Sequence, residues 1–286
     1  MQRRNALTID VEDYFQVSAF ERHVSREDWE RLPRRVEDNV ECILDLLAER
    51  RIAATFFVLG WIAERHPSLV RRCCDAGHEI ASHGYGHRRV ADQTADEFRS
   101  DVARTKRMLE DLTGQRVLGY RAPSYSINVA TPWAHRILHE EGYRYSSSLY
   151  PISHDHYGDP SAPRFPFAPL GAESPLLEIP IATIEIGGRR LPAGGGGYFR
   201  LFPYLLSRWA IRRLNDVDQA SAVFYFHPWE IDPAQPRVPG LPLRSRFRHY
   251  LNLDRCFTRL SRLTGDFAWS RMDDVFAGRI FDHVAS

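Results

Sequence analysis

Four short apolar runs in this chain each end on a titratable residue, and segments of helical period lie between them. Ala6-Leu7-Thr8-Ile9 runs into Asp10, Glu79-Ile80-Ala81-Ser82 into His83, Val117-Leu118-Gly119-Tyr120 into Arg121, and Ala222-Val223-Phe224-Tyr225-Phe226 into His227. A further run, Ala53 to Leu59, is near-continuously apolar, as a strand buried on both faces should be. The periodicity predicts helices over about Val36–Arg51 (Val40, Ile43, Leu44 and Leu47 on one face), Pro67 to Gly77, Ala95–Thr113, Pro132–Glu141, Leu201–Leu214 and Tyr250–Leu263. Strands near Tyr143–Tyr145 and over Leu177–Ile186 continue the alternation, and Phe267-Ala268-Trp269 follows the last helix. Repeated βα units imply an α/β fold with a parallel sheet. The expected architecture is an irregular (β/α) barrel of about seven parallel strands. It forms a single domain over residues 1–286, with a C-terminal extension from about residue 232. In such a barrel the C-terminal strand ends share one mouth, so Asp10, His83, Arg121 and His227 converge there.

Composition narrows the functional classes. The 286 residues suffice for one large barrel, and a net charge of +1 gives no bulk field for nucleic acid or membrane. Arginine pairs such as Arg189-Arg190 and Arg212-Arg213 are scattered and read as solvated helix faces. Four cysteines (Cys42, Cys73, Cys74, Cys256) form no CxxC, so buried thiols in a reducing compartment are expected. The start, Met1 to Asn5, lacks an apolar signal region, and no segment reaches the roughly 20 apolar residues of a membrane span. Cytoplasmic residence is the resulting expectation.

His83 and His87, four residues apart, can present two imidazoles to one cation. Gly84 and Gly86 place them on a loop, since each glycine would cost a helix about 1 kcal/mol. In a chain with 12 histidines such a pair alone says little. The carboxylates of Asp10-Val11-Glu12-Asp13 can complete a His/carboxylate site of the kind that holds hydrolytic Zn²⁺. Trp61 and Trp229 are the candidates for an aromatic wall on which a ring-shaped substrate stacks, and Trp209, at helical spacing, reads as core. Gly194 to Gly197 lacks a phosphate-loop pattern and reads as a flexible lid. His78 reads as packing or a cap; His135, His139, His249 and His283 read as helix or tail surface. His154, Asp155 and His156 are candidates for a substrate loop.

Several motifs resemble those of polysaccharide deacetylases of the carbohydrate esterase type (NodB homology). They are Thr8-Ile9-Asp10-Val11-Glu12-Asp13, Thr55 to Gly60, Gly77 to His87, Tyr120-Arg121-Ala122-Pro123-Ser124-Tyr125 and Phe226-His227-Pro228-Trp229-Glu230, in that family's order. Asp10 to Phe20 and Tyr150 to Gly158 further resemble the branch linked to exosortase-associated exopolysaccharide gene clusters. The resemblance implies hydrolytic removal of N-acetyl groups from sugars of an exopolysaccharide or its lipid-linked precursor. It implies a divalent metal, Zn²⁺ first with Co²⁺ or Ni²⁺ as alternatives, and an N-acetylated poly- or oligosaccharide as partner. By position, Asp10 would be the general base, Arg121 its orienting partner, and His227 the acid that protonates the leaving amine. His83 and His87 would be metal ligands. A backbone N–H near Ser124 and Tyr125 would stabilise the oxyanion.

The chain departs from that pattern at three places. Val11 stands where the family carries a second Asp, so the third ligand falls to Glu12 or Asp13. Residues two apart in a strand share a face, which favours Glu12; a turn at that point would favour Asp13. Ser146 replaces an Asp before Ser147-Ser148, and Ser124 stands where a Tyr usually follows Arg-x-Pro. A hydrolase of a small non-sugar amide and a non-catalytic glycan-binding protein are the competing readings.

Overall fold

The computed structural model describes residues 3–155, 157–171 and 174–281. His156 and His283 lie outside them. Eight strands form one parallel sheet: β1 (Arg4–Val11), β2 (Thr55–Val58), β3 (Glu79–Ser82), β4 (Gly119–Tyr120), β5 (Tyr145–Ser146), β6 (Leu177–Glu178), β9 (Val223–Phe226) and β10 (Ala268–Ser270). The order β6-β5-β4-β3-β2-β1-β9 curls into an irregular (β/α) barrel with helices outside it. Strand β1 is the hub. Its residues Thr8 to Val11 pair with β2 and Ala6 to Ile9 with β9, so those two strands take opposite edges. Strand β10 pairs with Arg4 to Ala6 and therefore continues the β2 edge below β2. The segment beyond residue 232 thus contributes a strand to the sheet.

The helices follow the apolar periodicity. Val36–Arg50 buries Val36, Val40, Ile43 and Leu47 and ends where Arg51 turns left-handed at φ 55°. Ala95–Thr113 opens on a capping box between Thr94 and Glu97, which satisfies two helix-end donors reciprocally. The barrel interior is filled by Ala6, Phe57, Ala81, Tyr145, Val223 and Tyr225. Gly119 sits where any side chain would strike the Tyr145 ring, so β4 can lie beside β5 only with glycine there.

Four sequence expectations change. The run Leu177–Ile186 is not one strand: β6 stops at Glu178, and Thr183–Ile186 (β7) turns back in a hairpin with Arg189–Pro192 (β8). The helix expected over Leu201–Leu214 spans Tyr204–Asp216, because Pro203 separates it from a short helix Gly196–Leu201. The helix expected over Tyr250–Leu263 spans Leu253–Asp266, and a separate helix, Leu243–Tyr250, precedes it. Gly194 to Gly197 is no lid. Ala182 N–H donates to Val223 O (3.3 Å) and Tyr225 N–H to Gly194 O (2.7 Å), which joins the β6 side of the barrel to β9. The glycines are needed because the backbones nearly touch there. A Cβ on Gly195 (φ 106°) would land inside the Tyr225 carbonyl oxygen.

Gly195→Ala is therefore expected to cost about 3 kcal/mol or more in denaturant titration, from overlap and backbone strain together. Gly187→Ala, in the open β7–β8 turn with no atom within 4 Å, should cost only about 1 kcal/mol.

Candidate active site

Strand alternation puts Thr8 and Asp10 on the face of β1 that looks into the barrel mouth, and Glu12 follows in a turn just past the strand's end, its N–H donating to Asp10 O (3.0 Å). The fully buried Arg121 comes to meet them from the end of β4. Its Nη1 donates to Asp10 Oδ1 (2.6 Å) and Thr8 Oγ1 (2.8 Å). Nε and Nη2 donate to Ser147 O (3.2 Å) and Ser147 Oγ (3.1 Å) beyond β5, and the guanidinium lies 4.0 Å over the Phe57 ring. Asp10 is thereby fixed, with Oδ2 turned toward His227 Nε2 at 3.9 Å.

The loop from His83 to His87 is held at almost every peptide. Gly60 and Trp61 N–H, at the start of helix Gly60–Arg65, donate to Gly84 O and Tyr85 O (2.9 Å each). Arg26 donates to Gly86 O and His87 O, and the half-buried Asp101 carboxylate accepts from Tyr85 N–H. His83 Nδ1 donates to Arg121 O (2.8 Å), which fixes the tautomer and leaves Nε2 as a lone-pair donor. Burial lowers the His83 pKa to about 4, so the ring is neutral, the form a metal ligand requires.

Ligand atoms of Glu12, His83 and His87 all lie within 4.8 Å of one another, and all three residues are buried. Glu12 Oε2 stands 2.9 Å from His87 Nε2, yet Oε2 makes no hydrogen bond and His87 Nδ1 is also without one. Burial alone would raise the Glu12 pKa, but His87 and His227 outweigh it and hold the carboxyl at about 2. An ionised carboxylate and two imidazoles, with a buried oxygen lacking a hydrogen-bond donor, fit a divalent cation. Asp13 is not part of this group. Its carboxylate accepts from Tyr14 N–H (2.9 Å), Arg35 N–H (2.8 Å) and Val36 N–H (3.2 Å), capping helix Val36–Arg50 across space. The alternative of Asp13 as ligand is corrected accordingly.

His227 faces the triad from β9, its Nε2 3.5 Å from Glu12 Oε1. Its Nδ1 pairs with Glu230 Oε2 (3.2 Å), and Glu230 Oε1 accepts from the buried Arg200 (2.7 Å). Burial pulls the His227 pKa down, but Glu12, then Glu230 and Asp10, carry it up to about 9. Trp229 Nε1 donates to Glu12 Oε1 (3.1 Å), while its ring stacks with His227 (5.1 Å) and His249 (4.2 Å). With its ring so covered, Trp229 orients Glu12 and is no sugar-stacking wall. His249, expected on the surface, is buried against it and bonded to Gln235. His135 likewise pairs with Glu178 (3.0 Å). Trp61 lies away from the mouth, packed on Phe15, Trp29 and the Arg65 guanidinium. Trp209 is exposed rather than core.

Ser124 (φ 55°) and Tyr125 (φ 48°) form a left-handed turn that borders the cavity. Tyr125 N–H is taken up by Ala122 O (3.0 Å). Ser124 Oγ meets Ser18 Oγ, and the segment around Ser18 lines the cavity opposite. The place that Ser146 leaves without a carboxylate is served by Glu178, whose Oε1 accepts from Ser148 N–H (2.8 Å) and Leu149 N–H (3.0 Å). The cavity, about 300 Å³, runs from the triad to a wall of Tyr157, Tyr198, Tyr225 and His154, the last stacked on Tyr157 at 3.9 Å. Arg200, Asp101, Tyr157 and Tyr198 end no apolar strand and Tyr225 lies inside one, so none of them is marked by a strand end in the sequence. Their signal is a charged or aromatic residue inside an otherwise apolar segment.

The family model for polysaccharide deacetylases matches residues 28–146, and the one described as a domain of unknown function, DUF3473, matches 147–277. Residues 28–146 therefore carry the pattern of the polysaccharide deacetylase family. A peptidoglycan-N-acetylglucosamine deacetylase of Bacillus cereus is 38% identical over 81 residues, 28% of this chain and 30% of that protein. A chitooligosaccharide deacetylase of Azorhizobium caulinodans is 32% identical over 82 residues, 28% of this chain and 39% of its own length. The chain thus spans well under half of the length of these relatives. A crystal structure of a candidate polysaccharide deacetylase from Mycobacterium smegmatis superposes with a TM-score of 0.60 at 21% identity, covering 99% of this chain and 92% of that one. A family 4 carbohydrate esterase from Streptomyces lividans gives 0.50 at 15% identity, covering 96% and 95%. These two similarities establish the shared barrel.

Glu12 and Asp13 can be separated by experiment. Glu12→Ala should weaken Zn²⁺ binding by about 100-fold with little loss of stability. Asp13→Ala should cost about 2 kcal/mol in denaturant titration and leave Zn²⁺ affinity within about twofold.

Proposed function

We propose that this protein is a metal-dependent hydrolase that removes N-acetyl groups from sugars of an exopolysaccharide or its lipid-linked precursor. The observation that carries the reading is the convergence of Glu12, His83 and His87 with Asp10 and His227 at one barrel mouth. The named deacetylase activities of the Bacillus and Azorhizobium relatives support it. An N-acetyl amide is a weak electrophile with a poor leaving group. It needs a polarised carbonyl, an activated water and a proton for the departing nitrogen.

A divalent cation held by Glu12, His83 and His87 would polarise the carbonyl and acidify water; Zn²⁺ suits the donor set best. The remaining work falls to this chain's own groups. Asp10 Oδ2 takes the proton of the attacking water while Arg121 holds Oδ1. The Ser124 amide donates to the carbonyl oxygen as negative charge develops on it. His227, protonated at Nε2 and braced at Nδ1 by Glu230 and Arg200, delivers its proton to the leaving nitrogen. Tyr198, half-buried in the cavity wall, offers an apolar ring face on which a sugar packs. The free cysteines are consistent with the cytoplasmic location we propose for the reaction.

The test is acetate release from a panel of N- and O-acetylated oligosaccharides. Chelation should abolish release from the N-acetylated members, and Zn²⁺ or Co²⁺ should restore it. Asp10→Asn and His227→Ala should each lower kcat by about 10²–10⁴-fold with KM little changed. Acetate release that survives chelation and both substitutions would sink the reading.

A further inference from the structure

The mouth of the cavity is bordered by two stretches of chain with a one-sided charge pattern. Residues 186–215 and 233–253 contain ten arginines and no aspartate or glutamate, in a chain that is otherwise balanced at 38 basic and 37 acidic residues. The first stretch holds helix Gly196–Leu201 and most of helix Tyr204–Asp216; the second holds Leu243–Tyr250. They meet at the mouth. Leu201 and Phe247 both line the cavity, and Arg200 ties the two stretches together by donating to His249 O (2.8 Å) and Leu251 O (2.9 Å).

The same stretches expose large apolar side chains. Leu243 is 82% exposed and Phe247 58%, one helical turn apart on a shared face; Leu205 is 65% exposed, with Leu201, Leu206 and Trp209 beside it in sequence. Helix Tyr204–Asp216 is the crossover that leads into β9, so it starts at the level of the mouth and runs away from it. Leu201, Leu205 and Leu206 therefore lie nearest the mouth, and Trp209 about one turn further back. Asp155 pairs with Arg244 and Arg248, and Asp266 with Arg208. Arg246 stays exposed on Leu243–Tyr250, whereas Arg212 lies at the far end of its helix beside Arg3 and Arg4 at the start of β1.

Leucine and phenylalanine at the tip, tryptophan set back, and an excess of arginine over acid are the chemistry of a surface that sits among phospholipid headgroups. Apolar side chains enter the acyl boundary there, tryptophan lies at the headgroup level, and guanidiniums meet phosphate. The apolar residues project from helix faces around an opening, and the charge beside them is net positive, with Arg237, Arg244, Arg246 and Arg248 against Asp155. Both features suit an extended anionic surface. We propose that this face docks the protein on an anionic phospholipid bilayer, so that the cavity mouth is presented to N-acetylated glycan carried at that surface. The glycan half of this statement rests on the deacetylase reading above; the docking half does not.

The test is co-sedimentation of the intact protein with vesicles of phosphatidylglycerol and phosphatidylcholine, against vesicles of phosphatidylcholine alone. Partitioning onto the anionic vesicles should be at least about tenfold stronger and should fall as salt is raised. Leu205→Glu/Leu243→Glu lies outside the cavity lining and should reduce that partitioning by about tenfold or more. Its circular dichroism and its turnover of a short soluble N-acetylated oligosaccharide should be those of the unsubstituted protein. Equal recovery in the supernatant with both vesicle types would overturn the proposal. So would a dimer in sedimentation equilibrium that the double substitution converts to monomer while vesicle binding stays absent, which would assign the face to self-association. Anionic-vesicle binding without any acetate release would leave the docking standing and reject the deacetylase reading.

Discussion

A guanidinium with no exposure to water lies at the centre of this barrel, and the site is arranged around keeping it compensated. Arg121 spends its donors on Asp10, Thr8 and Ser147, so one side chain joins β1, β4 and the turn after β5. Its carbonyl holds His83 by Nδ1. Burying such a charge is costly, and removing one partner of a buried pair typically costs about 3–5 kcal/mol. The same bonds that satisfy Arg121 fix the rotamer of Asp10 and the tautomer of His83. Stability of the barrel mouth and geometry of the site are therefore one constraint.

The site is divided along the chain. Asp10 comes from β1 and Glu12 from the turn just past it, His83 and His87 from the region matched as polysaccharide deacetylase, and His227, Glu230, Arg200 and the tyrosine wall from the region matched as DUF3473. Strand β1 can serve both because β2 and β9 take its opposite edges. The second region closes the barrel through Gly194 and Gly195 and supplies the buried ion pair that braces His227. It also supplies the arginine- and leucine-bearing rim.

Much of this was legible in the sequence, for a physical reason. In a parallel barrel the C-terminal strand ends share a mouth, so an apolar run that stops at Asp10, His83, Arg121 or His227 reports where that residue must go. The choice between Glu12 and Asp13 was not legible. Both follow the end of β1, and what separates them is a helix N-terminus 22 residues away that captures the Asp13 carboxylate. The tryptophans were misassigned because spacing does not reveal which ring faces are covered. Trp229 is stacked by two histidines, one of them 20 residues distant, and Trp209 sits on the outer face of its helix. The tetraglycine was misread because flexibility and close packing draw on the same residue type; only the neighbouring Tyr225 backbone distinguishes them.

The account stands on the claim that Glu12, His83 and His87 form one cation site beside Asp10 and His227. Crystals grown with Zn²⁺ and measured on both sides of the zinc absorption edge test it most directly. The account predicts one strong anomalous peak within bonding distance of all three side chains, with His83 Nδ1 still on Arg121 O. A peak bound by Asp13 in place of Glu12, or no peak at the barrel mouth at saturating Zn²⁺, would contradict it.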